Sequence, residues 1–206
     1  HRSVVEGDPG EDMPPPLPDS LDPAELQPPE TGHGPLFHRL YRTRIRDSRF
    51  SVEELIDSMA EDPDCVAPSE FATFQKLRGH EGQMRPNDDY IVRMAAPWDG
   101  PVRVVDVQPD RFRLATLDGH LEAGQIEFRA RPGEESGHLV FEIESWARSK
   151  DRLTDLLYHH LRLSKEVQLH MWISTLERIV EHTKGRMTGG VEVRTRVVAE
   201  GTLSHG

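Results

Sequence analysis

Apolar residues recur at three- and four-residue steps over one long stretch near the C-terminal end of the chain. Between Asp151 and Lys184 there is no glycine or proline, and the apolar stripe runs from Leu153 to Ile179. This spacing puts the apolar side chains on one face of a helix, so it predicts an α-helix of about 34 residues, roughly 50 Å long. Such a helix has to cover another apolar surface.

A second pattern, the alternation of apolar and polar residues, predicts a series of short strands before this helix. Leu139, Phe141 and Ile143, for example, alternate with Glu142 and Glu144. Proline, glycine and aspartate turns separate the alternating segments, which favours an antiparallel meander with one face toward a core. The predicted strands are 71–77, 90–96, 101–108, 111–117, 124–131 and 138–149.

The residues before this meander predict one more strand and a short helix. In the helix, "SVEELIDSMAED" (51–62), Glu54 follows Ser51 by three residues, the spacing of a capping box. The strand lies within "LFHRLYRTRIR" (36–46), which carries four arginines. We interpret it as an edge strand whose charges discourage pairing with other sheets. Contact with an anion or an acidic segment is the alternative.

The two ends of the chain are predicted to be tails. Residues 1–35 hold nine of the sixteen prolines and few large apolar side chains. They bury too little surface to offset the entropy of ordering, so we predict a disordered, acidic, proline-rich segment. "PPPLP" (14–18) could dock a protein partner as a polyproline helix, although a solvated tail is favoured. In the C-terminal tail, 185–206, alternation at 191–198 favours one extra edge strand.

Composition narrows the class of protein. The 206 residues are 35% apolar, which suits one domain with a core, placed here at 36–184. The net charge of −11 (25 − 36) argues against nucleic-acid partners, because an acidic surface repels phosphate backbones. No apolar run approaches the roughly 20 residues of a membrane span, so stable membrane insertion is not expected. With Cys65 as the single cysteine, a reduced, cytoplasmic setting is the expectation.

The order of elements and three stretches of sequence carry a family resemblance. The stretches are "APWDGPVRVVDV" (96–107), "TLDGHLEAGQIEF" (116–128) and "VFEIESWARS" (140–149). With them, residues 36–184 resemble the START-like, or SRPBCC, helix-grip superfamily, and within it a set of bacterial SRPBCC-like proteins catalogued as a domain of unknown function. The resemblance implies an α+β fold in which a curved antiparallel β-sheet wraps around a long C-terminal α-helix.

An apolar cavity between sheet and helix is a further implication of this resemblance. One helix cannot fill a strongly curved sheet along its whole length, so a pocket is also expected on packing grounds. We expect it to bind an apolar or amphipathic small molecule, lipid or polyketide-like, without a cofactor. The side chains expected to contact the ligand are Trp98, Phe112, Leu114, Thr116, His120, Phe128, Phe141, Ile143, Ser145, Tyr158, Met171 and Trp172.

The stretch 116–128 also holds the residues best suited to chemistry. Gly119 and Gly124 permit a tight connection, and His120 and Glu122 lie between them. One hypothesis makes His120 an acid or base oriented by Glu122, as in a cyclase or dehydratase. The favoured interpretation is that both residues brace the loop by hydrogen bonds, because no nucleophile or second base is nearby in sequence. A third hypothesis is a non-enzymatic interaction protein whose cavity is filled by side chains.

A metal site is not expected. The eleven histidines are scattered, and there is no HExxH motif. Glu166 and His170 are spaced to share a helix face, but a third ligand at a telling spacing is missing.

Overall fold

The computed structural model describes residues 1–70, 72–94, 99–151 and 162–200. Over these residues the chain forms one open, curved β-sheet of nine strands with two α-helices, an α+β fold. Short 3₁₀ turns lie at Pro29–Thr31 and Pro63–Cys65. The helices are α1 (Val52–Glu61) and α2 (Arg162–His182), and the strands are β1 (Arg2–Glu6), β2 (His33–Arg46), β3 (Ala72–Arg78), β4 (Asp89–Met94), β5 (Asp99–Gln108), β6 (Arg111–Thr116), β7 (Glu122–Pro132), β8 (Leu139–Ser149) and β9 (Arg186–Val198).

The strands follow the order β1-β9-β2-β8-β7-β6-β5-β4-β3 across the sheet. From β3 to β8 each strand pairs antiparallel with the next, so the predicted meander is confirmed. The prediction that 36–46 is an edge strand is wrong, because β2 lies between β8 and β9. One of its charges is paired inside the sheet: the Arg42 guanidinium lies 2.6 Å from Glu142 of β8 and 3.6 Å from Glu192 of β9.

Helix α1 begins as its sequence predicts. The Ser51 side chain accepts a hydrogen bond from the Glu54 N–H (3.1 Å), and the Glu54 carboxylate accepts one from the Ser51 N–H (2.7 Å), which completes the capping box. The apolar face of the helix, with Leu55, Ile56 and Met59, is buried in the core on the concave side of the sheet.

Helix α2 packs on the same concave face through Leu176 and Ile179, both fully buried. The structure describes it over 21 residues, Arg162–His182. The predicted first part of this helix, residues 152–161, lies outside the described residues, so its predicted length stays a prediction. The part of the chain that the structure describes contains no helix that is both long and apolar enough to cross a membrane.

The N-terminal segment is ordered, and the prediction of a disordered tail over residues 1–35 is wrong. Residues 8–32, called the strap below, cross the convex face of the sheet. Leu21 is buried there against Val105 of β5 and Ala115 of β6. Further along, the carbonyls of Asp22 and Ala24 each accept a hydrogen bond of 2.7 Å from the buried Arg103 guanidinium.

The chemistry of proline explains why so polar a segment binds to the sheet. Proline has no N–H, so a proline-rich stretch leaves carbonyl groups free, and its preset backbone loses less entropy on ordering. The convex face supplies donors: Gln125 donates to the Pro15 carbonyl (3.1 Å) and Arg113 to the Pro16 carbonyl (3.4 Å). A partner docking at 14–18 would have to replace these intramolecular hydrogen bonds.

The last strand, β9, has a neighbouring strand on each side, although its sequence favours an edge strand. The extra strand predicted at 191–198 is confirmed and begins earlier, at Arg186. It does not lie at the edge of the sheet, because β1 pairs with it in parallel, with Arg2 opposite Val193 and Glu6 opposite Val197.

Candidate functional site

A cavity of about 140 Å³ lies between the concave face of the sheet and the two helices. Its apolar wall includes a cluster of aromatic rings. The rings of Phe112 and Phe128, on neighbouring strands, stack with centroids 4.9 Å apart, and Trp172 of α2 meets Phe128 edge-on at 5.9 Å. Leu114, Ile126 and Met171 complete this part of the wall.

Most of the residues predicted to contact a ligand line this cavity. They are Phe112, Leu114, Thr116, His120, Phe128, Ser145, Met171 and Trp172. Trp98 and Tyr158 lie outside the described residues. Phe141 and Ile143 are not in the wall: both are fully buried in the adjoining core.

The order of side-chain sizes along β8 explains the different position of these two residues. Phe141 and Ile143 share the inward face of the strand with Ser145 and Ala147, which do line the cavity. Large side chains fill the first half of that face. Small ones follow, and the space they leave unfilled belongs to the cavity.

His120 lies at the polar end of the cavity, on the connection between β6 and β7. Its Nδ1 accepts a hydrogen bond of 2.9 Å from the backbone N–H of Glu122. A nitrogen that accepts cannot carry the proton, so the neutral ring holds it on Nε2. Burial lowers the pKa of His120, against an opposing effect of Glu122, so the neutral form prevails near pH 7. Nε2 makes no hydrogen bond to any described residue and remains available as a donor.

The acid–base hypothesis requires the Glu122 carboxylate to orient the His120 ring. In the structure the backbone N–H of Glu122 contacts the ring instead. The carboxylate accepts a hydrogen bond of 3.0 Å from Gln168 of α2, and its Oε1 lies 4.0 Å from Nη1 of Arg39 on β2. Arg39 in turn stacks on Phe37, 4.6 Å from the ring centroid. The polar end of the cavity therefore combines one carboxylate, one guanidinium, one amide and a neutral imidazole.

Arg39, Gln168 and Gln27 were not among the predicted site residues. Gln168 could have been identified from the sequence, because it is a polar residue that interrupts the apolar stripe of the predicted helix. Arg39 precedes Tyr41 by two residues and so shares its inward face, but four arginines in the segment obscured that alternation.

Gln27 of the strap holds the connection that carries His120. Its side-chain amide donates to the carbonyls of both His120 (2.9 Å) and Glu122 (2.8 Å). Its own N–H donates to the Thr116 carbonyl (2.9 Å), and the Thr116 hydroxyl donates back to the Gln27 carbonyl (2.8 Å). The polar end is thus fixed from the convex side of the sheet.

The described residues bring no three His, Cys, Asp or Glu side chains together in a way that could hold a metal ion. The Glu166 side chain, half of the pair considered from sequence, lies outside the described part of the chain. The Cys65 thiol is a poor nucleophile, because burial and the nearby Asp62 and Asp64 raise its pKa to about 11.

One comparison decides the family. A family model described as a domain of unknown function (DUF1990) matches residues 70–198, more than half of the chain. The chain belongs to the DUF1990 family. In a comparison with curated proteins this DUF1990 member finds no match.

Solved structures similar to this DUF1990 protein share its fold at low sequence identity. A conserved protein from Geobacillus kaustophilus has a TM-score of 0.51 at 12% identity, covering 73% of this chain and 98% of its own. Norcoclaurine synthase from Thalictrum flavum has 0.50 at 8%, with coverages of 74% and 87%. The di-domain ARO/CYC StfQ of the steffimycin biosynthetic pathway has 0.53 at 10%, with coverages of 76% and 52%. The predicted relation to a family catalogued as a domain of unknown function is confirmed by the family match, and the likenesses to solved structures establish a shared fold alone.

Proposed function

We propose that this protein binds a small molecule with an apolar body and a polar end in the cavity between the sheet and α2. In this proposal the sheet grips the C-terminal helix, and the ligand occupies the space that the helix leaves. The observation that carries it is a cavity of about 140 Å³ beside the hydrophobic core, with mostly apolar walls and polar groups gathered at one end. That arrangement is typical of ligand sites in folded domains.

The size of the cavity limits the ligand. An apolar cavity of about 150 Å³ accommodates a molecule of the size of benzene. The part of the ligand that is buried here is therefore about one aromatic ring or a short alkyl chain. Apolar contact supplies most of the affinity, at about 25 cal/mol per Å² before the costs of association. His120 and Ser145, whose polar groups line the cavity, then set the orientation of its polar end.

Two further considerations support ligand binding. In an interaction protein whose interior is filled by its own side chains, side chains would occupy this space, because a cavity in a core is destabilising. The norcoclaurine synthase structure was determined in complex with dopamine and hydroxybenzaldehyde, so the shared fold is compatible with ligands built on a single ring.

A thermal-shift screen tests the proposal. Freshly purified protein is first analysed by native mass spectrometry for co-purified small molecules, and then melted with a library of aromatic, lipid and polyketide-like compounds. A ligand at about 100 times its Kd adds about 2.7 kcal/mol of stability by mass action. In a protein of this size that raises Tm by roughly 5–10 °C.

A cavity-filling variant provides the matched control. Ser145→Phe places a ring in the space that the small side chain leaves, so it should remove the ligand-induced shift while its own Tm without ligand shows that it folds. The proposal is refuted if no compound co-purifies and none shifts the wild-type Tm, or if hits shift Ser145→Phe equally.

A further inference from the structure

The geometry points to a carboxylate as the polar end of the ligand, bound by Arg39 and His120. This inference rests on the proposed function and names the class of ligand for the same cavity: a monocarboxylic acid whose apolar part is about one ring or a short alkyl chain.

Arg39 carries a permanent positive charge into the cavity wall. Its side chain is only 12% exposed, yet its five N–H donors make no hydrogen bond to any described residue. The nearest carboxylate oxygen, on Glu122, lies 4.0 Å away, beyond hydrogen-bonding distance. Among the residues that the structure describes, this largely buried guanidinium therefore has no hydrogen-bond acceptor, and a ligand can supply one.

Two arginines with a structural role are paired differently in the same sheet, although Arg113 and Arg148 on the convex face also have buried N–H groups without a hydrogen-bond partner. The fully buried Arg103 donates to both oxygens of Asp89, at 2.7 and 2.9 Å. Arg42, which faces away from the cavity on the same strand as Arg39, donates to Glu142 at 2.6 Å. The chain thus supplies close carboxylates to these two arginines and leaves the one in the cavity wall without such a partner.

The other groups at the polar end favour an acceptor over a donor. His120 adds a second donor, its Nε2–H, which donates to no described residue, while one oxygen of Glu122 already accepts from Gln168. A carboxylate accepts from a guanidinium through two parallel hydrogen bonds, the strongest pairing open to either group. An amine would be attracted to Glu122 but repelled by Arg39, and a neutral amide would gain no charge-assisted bond.

Binding measured by isothermal titration calorimetry at constant pH and ionic strength tests the inference. The probes are phenylacetate, its neutral isostere phenylacetamide and the cation phenethylamine, with hexanoate and hexanamide as an aliphatic pair. In the wild type each carboxylate should bind at least tenfold more tightly than its amide. Arg39→Met should bind acid and amide equally, and Arg39→Lys, which keeps the charge but not the fork geometry, should retain part of the preference.

Two further variants make the result specific. Arg44 lies on β2 but is exposed and lines no part of the cavity, so Arg44→Met should keep the wild-type preference. Glu122→Gln removes a negative charge next to the bound anion, so it should strengthen carboxylate binding. If the ligand were a cation instead, the same variant would weaken binding.

The possible outcomes separate this inference from the proposed function. Equal binding of acid and amide by the wild type, tighter binding of the amine, or a preference that survives in Arg39→Met overturns the carboxylate assignment and leaves a ligand-binding cavity. If none of the probes binds and the library screen is also negative, the proposed function fails and the carboxylate assignment fails with it.

Discussion

Two glycines near the polar end of the cavity serve different physical purposes, although the sequence suggested one purpose for both. Gly119 adopts a φ of +99° in the turn between β6 and β7, a conformation that other residues rarely take. Gly124 has no positive φ, but a Cβ there would overlap the carbonyl oxygen of Trp146 on β8. The first glycine is required by the turn and the second by the close approach of two strands.

Alanine substitutions at these glycines should therefore have unequal effects on stability. Gly119→Ala has open space, its nearest neighbour being Pro101 Cγ at 3.7 Å, so backbone strain of about 1 kcal/mol is the main penalty. Gly124→Ala has to push two paired strands apart, so it should lower the free energy of unfolding by about 2–3 kcal/mol. Urea denaturation of both variants measures the difference, and equal losses would contradict this account.

At the scale of elements, the strap connects the convex face to the site on the concave face. Because Gln27 donates to two carbonyls of the connection carrying His120, Gln27→Ala should lower the free energy of unfolding by about 1–3 kcal/mol. It should also weaken ligand-induced stabilisation, since the His120 ring is no longer held in place. Gln108→Ala, at an exposed position near the end of β5, is the control. An unchanged ligand response in Gln27→Ala would show that the clamp does not position the site.

Elements whose determinants are local could be predicted from the sequence. The capping box of α1 depends on residues three apart, and the strands from β3 to β8 pair with their chain neighbours. Most of the cavity wall followed from the same alternation. The inward positions on β8 were also predicted correctly, but which of them line the cavity depends on how the helices and the neighbouring side chains pack over them.

Elements stabilised by distant partners could not be predicted. β1 pairs with a strand some 190 positions later, and the strap is held by donors that the convex face presents only after the sheet has formed. The two strands that pair with β2 likewise lie about 100 and 150 residues further along the chain. The local sequence does not show these partners, so the arginines of β2 indicated an exposed edge. Arg39 was missed for that reason.

Across the whole chain, one cluster joins the strap to the adjacent strands β9, β2 and β8 and makes stability depend on pH. His38 of β2 lies 2.7 Å from Asp12 of the strap and 2.6 Å from Glu144 of β8, and Arg196 of β9 also contacts Asp12 at 3.0 Å. Burial alone would lower the pKa of His38, but the hydrogen bonds to Glu144 and Asp12 outweigh it and raise that pKa above its ordinary 6.5.

The direction of the pH effect follows from this raised pKa. The folded protein holds the His38 proton more tightly than the unfolded chain, so the cluster contributes fully below about pH 6.5 and its contribution is lost as the pH rises through the folded pKa. Thermal melts between pH 5 and 9 should show the wild-type Tm falling above pH 6.5 more steeply than that of His38→Gln. His170→Gln, at an exposed site on α2, should behave as the wild type does. Parallel curves for the wild type and His38→Gln would rule out the cluster as the source.

The place of β2 between β8 and β9 bears on how a functional fragment of this chain is delimited. The stretch recognised by sequence comparison, 70–198, leaves out β2, although that strand alone connects β9 to the rest of the sheet. A gene fragment trimmed to those limits would encode a sheet that lacks an interior strand and a cavity without Arg39. The folded domain of this chain therefore begins well before the stretch that the family model matches.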